Sequence, residues 1–222
     1  MTSMAKLIKN HPLSFSLLLA TLVAIGLFLV GAVRNQTWDY WYLPYNLLLG
    51  FIPLLLAVWL ASLLKIRPWK SWLPLVVTVL WLLFLPNSFY IVTDFIHLPE
   101  YQRVDIVQDT VMLMQYSLLG LAFGFISLHM VHRELLKRLR PKKAHIGAGI
   151  ILLLASFAIY LGRDLRWNSW DVVTQPFGLF VDVVERLFNP LGHPVMWSIM
   201  LSFFAMLVSI YFIIYSLSTS KR

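Results

Sequence analysis

The stretch LPNSFYIVTDFIHL, residues 85–98, sets an amide, a phenol, a carboxylate and an imidazole at Asn87, Tyr90, Asp94 and His97. They lie three, four and three residues apart, which on a continuous helix confines them to one face about 80° wide. A carboxylate that orients an imidazole is the pairing of general acid–base chemistry. Asp94 and His97 are therefore the candidate catalytic residues, with Asn87 and Tyr90 as ligand-binding neighbours.

Two further segments carry comparable groups. VDIVQDTVMLMQY, residues 104–116, presents Asp105 and Asp109 on one helical face. Asp109 beside Asp94 would offer hard oxygen ligands of the kind that suit Mg²⁺ or Ca²⁺, although no motif assigns a metal or a cofactor. IYLGRDLRWNSWDV, residues 159–172, supplies Arg163, Arg166, Trp167, Asn168, Trp170 and Asp171. Guanidinium forks match the oxygens of phosphate, and the two indoles offer flat surfaces to a sugar or an acyl chain. Each group also has a structural reading. Asp105 with Gln108, and Asn168 with Asp171, fit capping boxes. Arg163 or Arg166 facing Asp94 or Asp109 fits an interhelical ion pair, which is weak ground for function.

The elements that must position these groups are membrane-spanning helices. Of 222 residues 59% are hydrophobic and only 13% charged, and mean hydropathy is +0.76; soluble domains carry about 25% charged residues. Apolar runs near the roughly 20 residues needed to cross a bilayer recur along the chain. They predict an all-α polytopic protein forming a single domain over 1–222, with spans at 13–33, 45–64, 71–92, 106–131, 145–161 and 194–217. Pro53, Pro74 and Pro86 fall inside these spans and predict kinks. Lys6 and Lys9 precede the first run as in a signal peptide, but the run is longer than a signal core and no small-residue cleavage site follows. It reads as the first span. The chain has no cysteine, which excludes disulfides and thiolate metal centres.

Charge gives the orientation. With a cytoplasmic N-terminus, 13 of the 18 basic residues fall on the inner side and nine of the ten acids on the outer. The positive-inside rule then places both termini in the cytoplasm. This division accounts for the net charge of +8 as topology and attraction to the anionic lipid bilayer, not as nucleic-acid binding. His129 and His132 are expected at the inner headgroup layer, and His145 carries no function. PFGLFVDVVERLF, residues 176–188, has Phe177, Phe180, Val181, Val184, Leu187 and Phe188 at helical spacing, with Asp182, Glu185 and Arg186 opposite. It predicts an amphipathic helix in the outer interface, with a re-entrant segment or a lid as alternatives.

NLLLGFIPLLLA (46–57), LWLLFLPNSFYIVTDFIHL (80–98) and LGRDLRWNSWDV (161–172) resemble a bacterial family of small multispanning membrane proteins whose domain has no assigned function, over roughly residues 40–215. The resemblance implies a multi-pass protein of the bacterial cytoplasmic (inner) membrane. It brings no substrate, cofactor or catalytic residue. The residues themselves point to an outward-facing polar site that binds or processes an anionic amphiphile, a phosphate-bearing or glycan-linked lipid. A non-catalytic scaffold and a small-solute or ion-coupled carrier are the alternatives. The carrier is disfavoured because the acids gather at one interface and none lies mid-span. Enzymatic activity and oligomeric state stay open at this level.

Overall fold

A computed structural model of the chain describes residues 12–98 and 106–219. It contains helices α1 (Pro12–Asn35), α2 (Tyr42–Leu63), α3 (Trp72–Tyr90), α4 (Ile106–Leu136), α5 (Pro141–Asp164), α6 (Asp171–Thr174), α7 (Pro176–Phe188) and α8 (Pro194–Thr219). A 3₁₀ helix, Ile91–His97, continues α3. Six helices are long and apolar enough to cross a membrane, counting α3 with its 3₁₀ extension as one. Large side chains such as Leu18, Leu48, Leu118 and Leu217 are more than half exposed along the flanks, as lipid contact requires and a water-facing surface would not tolerate.

Lipid tails are as apolar as leucine, so helices in a bilayer associate by close packing of small residues and by hydrogen bonds. Backbones approach closely around Ser88 on α3. A Cβ on Gly50 of α2 would lie 3.2 Å from the Ser88 Cα, and one on Gly120 of α4 only 2.6 Å from the Ser88 carbonyl oxygen. The Ser88 hydroxyl donates to the Gly50 carbonyl at 2.7 Å. On the next turn of α4, Gly124 makes room for the Phe89 ring. Fully buried Trp81 donates its indole N–H to Ser127 at 3.3 Å. α2, α3 and α4 thus form a locked core. α1 packs on α4, while α5 lies against α3 and α4 with α8 behind it.

The two ends of the bundle differ. At one, Arg138 donates to the Leu64 carbonyl at 3.2 Å, pairs with Glu134 at 2.6 Å and stacks over Trp69. Lys137 also pairs with Glu134. This end joins the α2–α3 and α4–α5 turns, where the basic residues cluster. The other end carries the 3₁₀ helix, α6 and α7.

One expectation about local structure is corrected. Pro74 lies in the first turn of α3, where its missing N–H has no intrahelical partner to lose, so it is not a mid-span kink. Pro53 and Pro86 do lie inside helices. α7 has the expected boundaries, but its polar side faces the protein. Asp182 accepts the Trp167 indole N–H at 2.7 Å, and buried Arg186 donates to Asp182 at 3.0 Å and to the Tyr160 hydroxyl at 3.3 Å. Phe177, Phe180 and Phe188 are left exposed on the far side. At about 20 Å the helix is too short to span a bilayer.

Candidate functional site

A cavity of about 490 Å³ lies between α2, α3 and α5, closed at one end by the 3₁₀ helix, the 165–170 loop, α6 and α7. Each wall is a single helical face. α2 gives Tyr42, Tyr45, Asn46 and Leu49, at the i, i+3, i+4, i+7 spacing of one stripe. α5 gives Ile151, Leu154, Ala155, Ala158, Leu161 and Gly162, again one stripe. That stripe is about 16 Å long at 1.5 Å per residue.

The wall from α3 depends on Pro86. Its ring leaves the Leu82 carbonyl without the usual donor four residues on. The neighbouring Leu83 carbonyl instead accepts the Ser169 hydroxyl at 2.9 Å, and Ser169 accepts the Asn87 amide N–H at 2.9 Å. Asn87 donates as well to the Phe84 carbonyl at 3.1 Å. The kinked segment thereby tethers the loop that roofs the cavity.

After Tyr90 the helix tightens to three residues per turn, so Ile91, Asp94 and His97 fall directly in line. Ile91 and Asp94 are buried. The four candidate residues of the opening stretch, Asn87, Tyr90, Asp94 and His97, all line this one cavity. Asp94 is 3% exposed and accepts hydrogen bonds from the Asn46 amide at 3.0 and 3.4 Å. His97 and Arg163 act on its carboxylate through their electrostatic field. The His97 ring meets Tyr42 edge-on, with centroids 5.3 Å apart. Gly162 leaves room for the Tyr90 ring, since a Cβ there would meet it at 3.3 Å.

The remaining sequence candidates divide. Trp167 and Asn168 line the cavity; Arg163, Arg166, Trp170, Asp171 and Asp109 do not. Asp109 is buried against Tyr40, whose hydroxyl donates to it at 3.2 Å, and it stands outside the cavity that Asp94 lines. Among the described residues no three His, Asp or Glu side chains approach closely enough to hold a metal ion. Arg166 is exposed and adopts a left-handed backbone (φ 60°) that ends α5, letting the Trp167 N–H close on the Leu161 carbonyl at 3.2 Å. Arg166 thus turns the chain and stands outside the cavity.

Asp171 builds the roof. Its carboxylate accepts the Asn168 backbone N–H at 2.7 Å and the Thr174 hydroxyl at 2.9 Å. The first of these holds the carboxyl below its ordinary range, with burial opposing and the Thr174 and Asn168 side chains assisting. This is the reciprocal half of the expected Asn168–Asp171 capping box. Asp105, the other expected cap, lies outside the described residues.

Asn46, Tyr42, Tyr45 and Ser169 are site residues that the sequence did not single out. Asn46 alone left a readable signal, an amide in an apolar run, four residues from a tyrosine. The histidine expectation is also corrected. His132 is fully buried between helices, 2.7 Å from the Tyr211 hydroxyl and 3.1 Å from His145, and so does not face the headgroups.

Six helices long and apolar enough to span a membrane, three of them bordering a cavity with polar groups gathered toward one end, define a polytopic membrane protein with a candidate ligand site. Residues 45–210 match a family described as proteins of unknown function, DUF1361, and the chain belongs to that family. No curated protein and no solved structure matches it.

Proposed function

We propose that the protein binds an amphiphile, whose apolar chain lies in the groove between α3 and α5 and whose polar head enters among Asn46, Asn87, Asp94, His97 and Asn168. The observation that carries this reading is the polarity gradient of the cavity. Leu82, Leu83, Ile151 and Leu154 line one end, and the amides, the carboxylate and the imidazole line the other, beneath the roof. Leu154 both lines the cavity and is 53% exposed on the flank of the bundle, which gives a chain a sideways entrance from lipid. A preformed concave site, apolar with few convergent polar groups, is the usual form of a small-molecule site.

The asymmetry of charge in the sequence supports a polar, roofed end on the non-cytoplasmic side of a bacterial inner membrane. The Asp94–His97 pair gives the site groups for acid–base processing of the head. Binding comes first in this reading, and turnover is a further question for the same assay.

Filling the groove tests it. Leu154→Trp places an indole in the chain path from an exposed helix flank. Native mass spectrometry of protein released from polymer-encased bilayers should show a discrete lipid adduct on the wild type and its loss on the variant. An adduct unchanged by Leu154→Trp would refute the reading.

A further inference from the structure

The reading of the cavity as an amphiphile site leaves the chemistry of the head open, and the hydrogen-bond inventory at its polar end bears on it. Three carboxamides reach the cavity, and the orientation of each is forced by an acceptor that cannot donate. Asn46 turns its NH₂ to the Asp94 carboxylate. Asn87 turns its NH₂ to the Phe84 carbonyl and to Ser169, whose own proton is committed to the Leu83 carbonyl. Asn168 turns its NH₂ to the Asp171 carboxylate at 3.3 Å and toward the Arg166 carbonyl at 3.5 Å.

The amide donors are therefore spent within the protein, and their carbonyl oxygens are left to the cavity. Asp94 adds an acceptor-only group when ionised. It is 97% buried, and among the described residues a single amide hydrogen-bonds to it. Among the described residues neither a lysine nor an arginine lines the cavity. Its polar end is rich in acceptors, and the donors beside them are tyrosine hydroxyls and the His97 imidazole, with no fixed cation among them. A buried acceptor is costly unless a donor meets it.

We infer that the ligand's head is rich in hydrogen-bond donors and carries no negative charge where it meets Asp94, as a glycosyl group or a primary ammonium does. The inference rests on the amphiphile reading and replaces the phosphate-gripping head suggested by the arginine pair. Trp167 and the tyrosines at 42, 45 and 90 suit both sources, since an aromatic face stacks on a sugar ring and attracts a cation. An anionic head would meet the Asp94 carboxylate and three amide oxygens.

Three probes sharing one dodecyl chain separate the possibilities: dodecyl maltoside, dodecylamine and dodecyl phosphate. They are titrated below micelle formation into protein held in phosphatidylcholine nanodiscs, and adducts are counted by native mass spectrometry. The expected result is maltoside or amine binding at least about tenfold tighter than phosphate, with the preference lost in Asp94→Asn, since one unmet buried acceptor is worth about that factor. Maltoside retention identifies a glycosyl head; retention of the amine alone identifies an ammonium head. Dodecyl phosphate binding as tightly as either overturns the donor-rich head while leaving the amphiphile reading intact. Equal binding of all three overturns it too, by showing that the cavity reads the chain alone. Absence of every adduct overturns the amphiphile reading itself. The wild-type ranking stands without the variant should Asp94→Asn fold poorly.

Discussion

Asp94 and Asn46 lie 48 residues apart and meet at 3.0 Å, joining the 3₁₀ extension of α3 to the first turns of α2. Removing the amide leaves a buried carboxylate without its direct donor. Asn46→Ala should cost about 1–3 kcal/mol of unfolding free energy. In an Asp94→Ala background the same change should cost far less, and a double-mutant cycle by thermal unfolding in nanodiscs measures the difference. Equal costs in both backgrounds would show that the pair contributes nothing to stability.

The glycines differ sharply in what they allow. A Cβ on Gly120 would sit 2.6 Å from a backbone oxygen, which cannot rotate away, whereas Gly149 has nothing within 4 Å. Gly120→Ala should destabilise by about 1–3 kcal/mol through overpacking. Gly149→Ala should be neutral or stabilise by up to about 1 kcal/mol, because alanine is the better helix former. Melting temperatures of the two variants should move in opposite directions.

Arg166 is held at φ 60° and does not line the cavity. Arg166→Gly should raise stability by about 1 kcal/mol, the cost of holding a side chain in the left-handed region. It should leave amphiphile adducts unchanged. Loss of adducts would restore the arginine to the site.

Tyr211 and His132 form the polar tie between α8 and α4, at 2.7 Å in a buried setting. Tyr211→Phe should cost about 1–3 kcal/mol by leaving an imidazole nitrogen unpaired. Pairing it with His132→Leu should recover part of that loss, read as the melting temperature of the double variant against the single.

The Asp171 carboxyl titrates below its ordinary range, chiefly because of the Asn168 backbone N–H. A lowered folded value means that the group stabilises the folded state above its unfolded value of about 4, and that this is lost as pH falls through the folded value. Hydrogen exchange of the peptide covering residues 166–175 should therefore stay slow from neutral pH down to about 4, after correction for intrinsic rates. In Asp171→Ala it should be fast already at neutral pH. Fast exchange in the wild type at mildly acidic pH would contradict the direction of the shift.

The six spans were legible because a bilayer demands long apolar runs whatever the packing, and the four-residue polar stripe because its spacing survives the change from α to 3₁₀ geometry. Partners across helices were not legible. Whether Asp109 faces Asp94 or Tyr40 depends on the rotation of α4, which Gly120 and Gly124 set by contacts invisible along the chain. Arg163 and Arg166 look alike in sequence, yet one sits on the last turn of α5 and the other in the turn that ends it. The polar side of α7 meets protein because Tyr160 and Trp167 offer it partners, and helical spacing reports a face without naming what it meets.

The glycine contacts around Ser88 also have a mechanical consequence. With α2 and α4 both in backbone contact with it, α3 can neither slide nor roll on that side. Its α5-facing flank borders the cavity instead. Any give in the bundle is therefore expected on that one side, where α5 packs with α8 behind it. Through the Trp167–Asp182 hydrogen bond a change there would be passed on to α7.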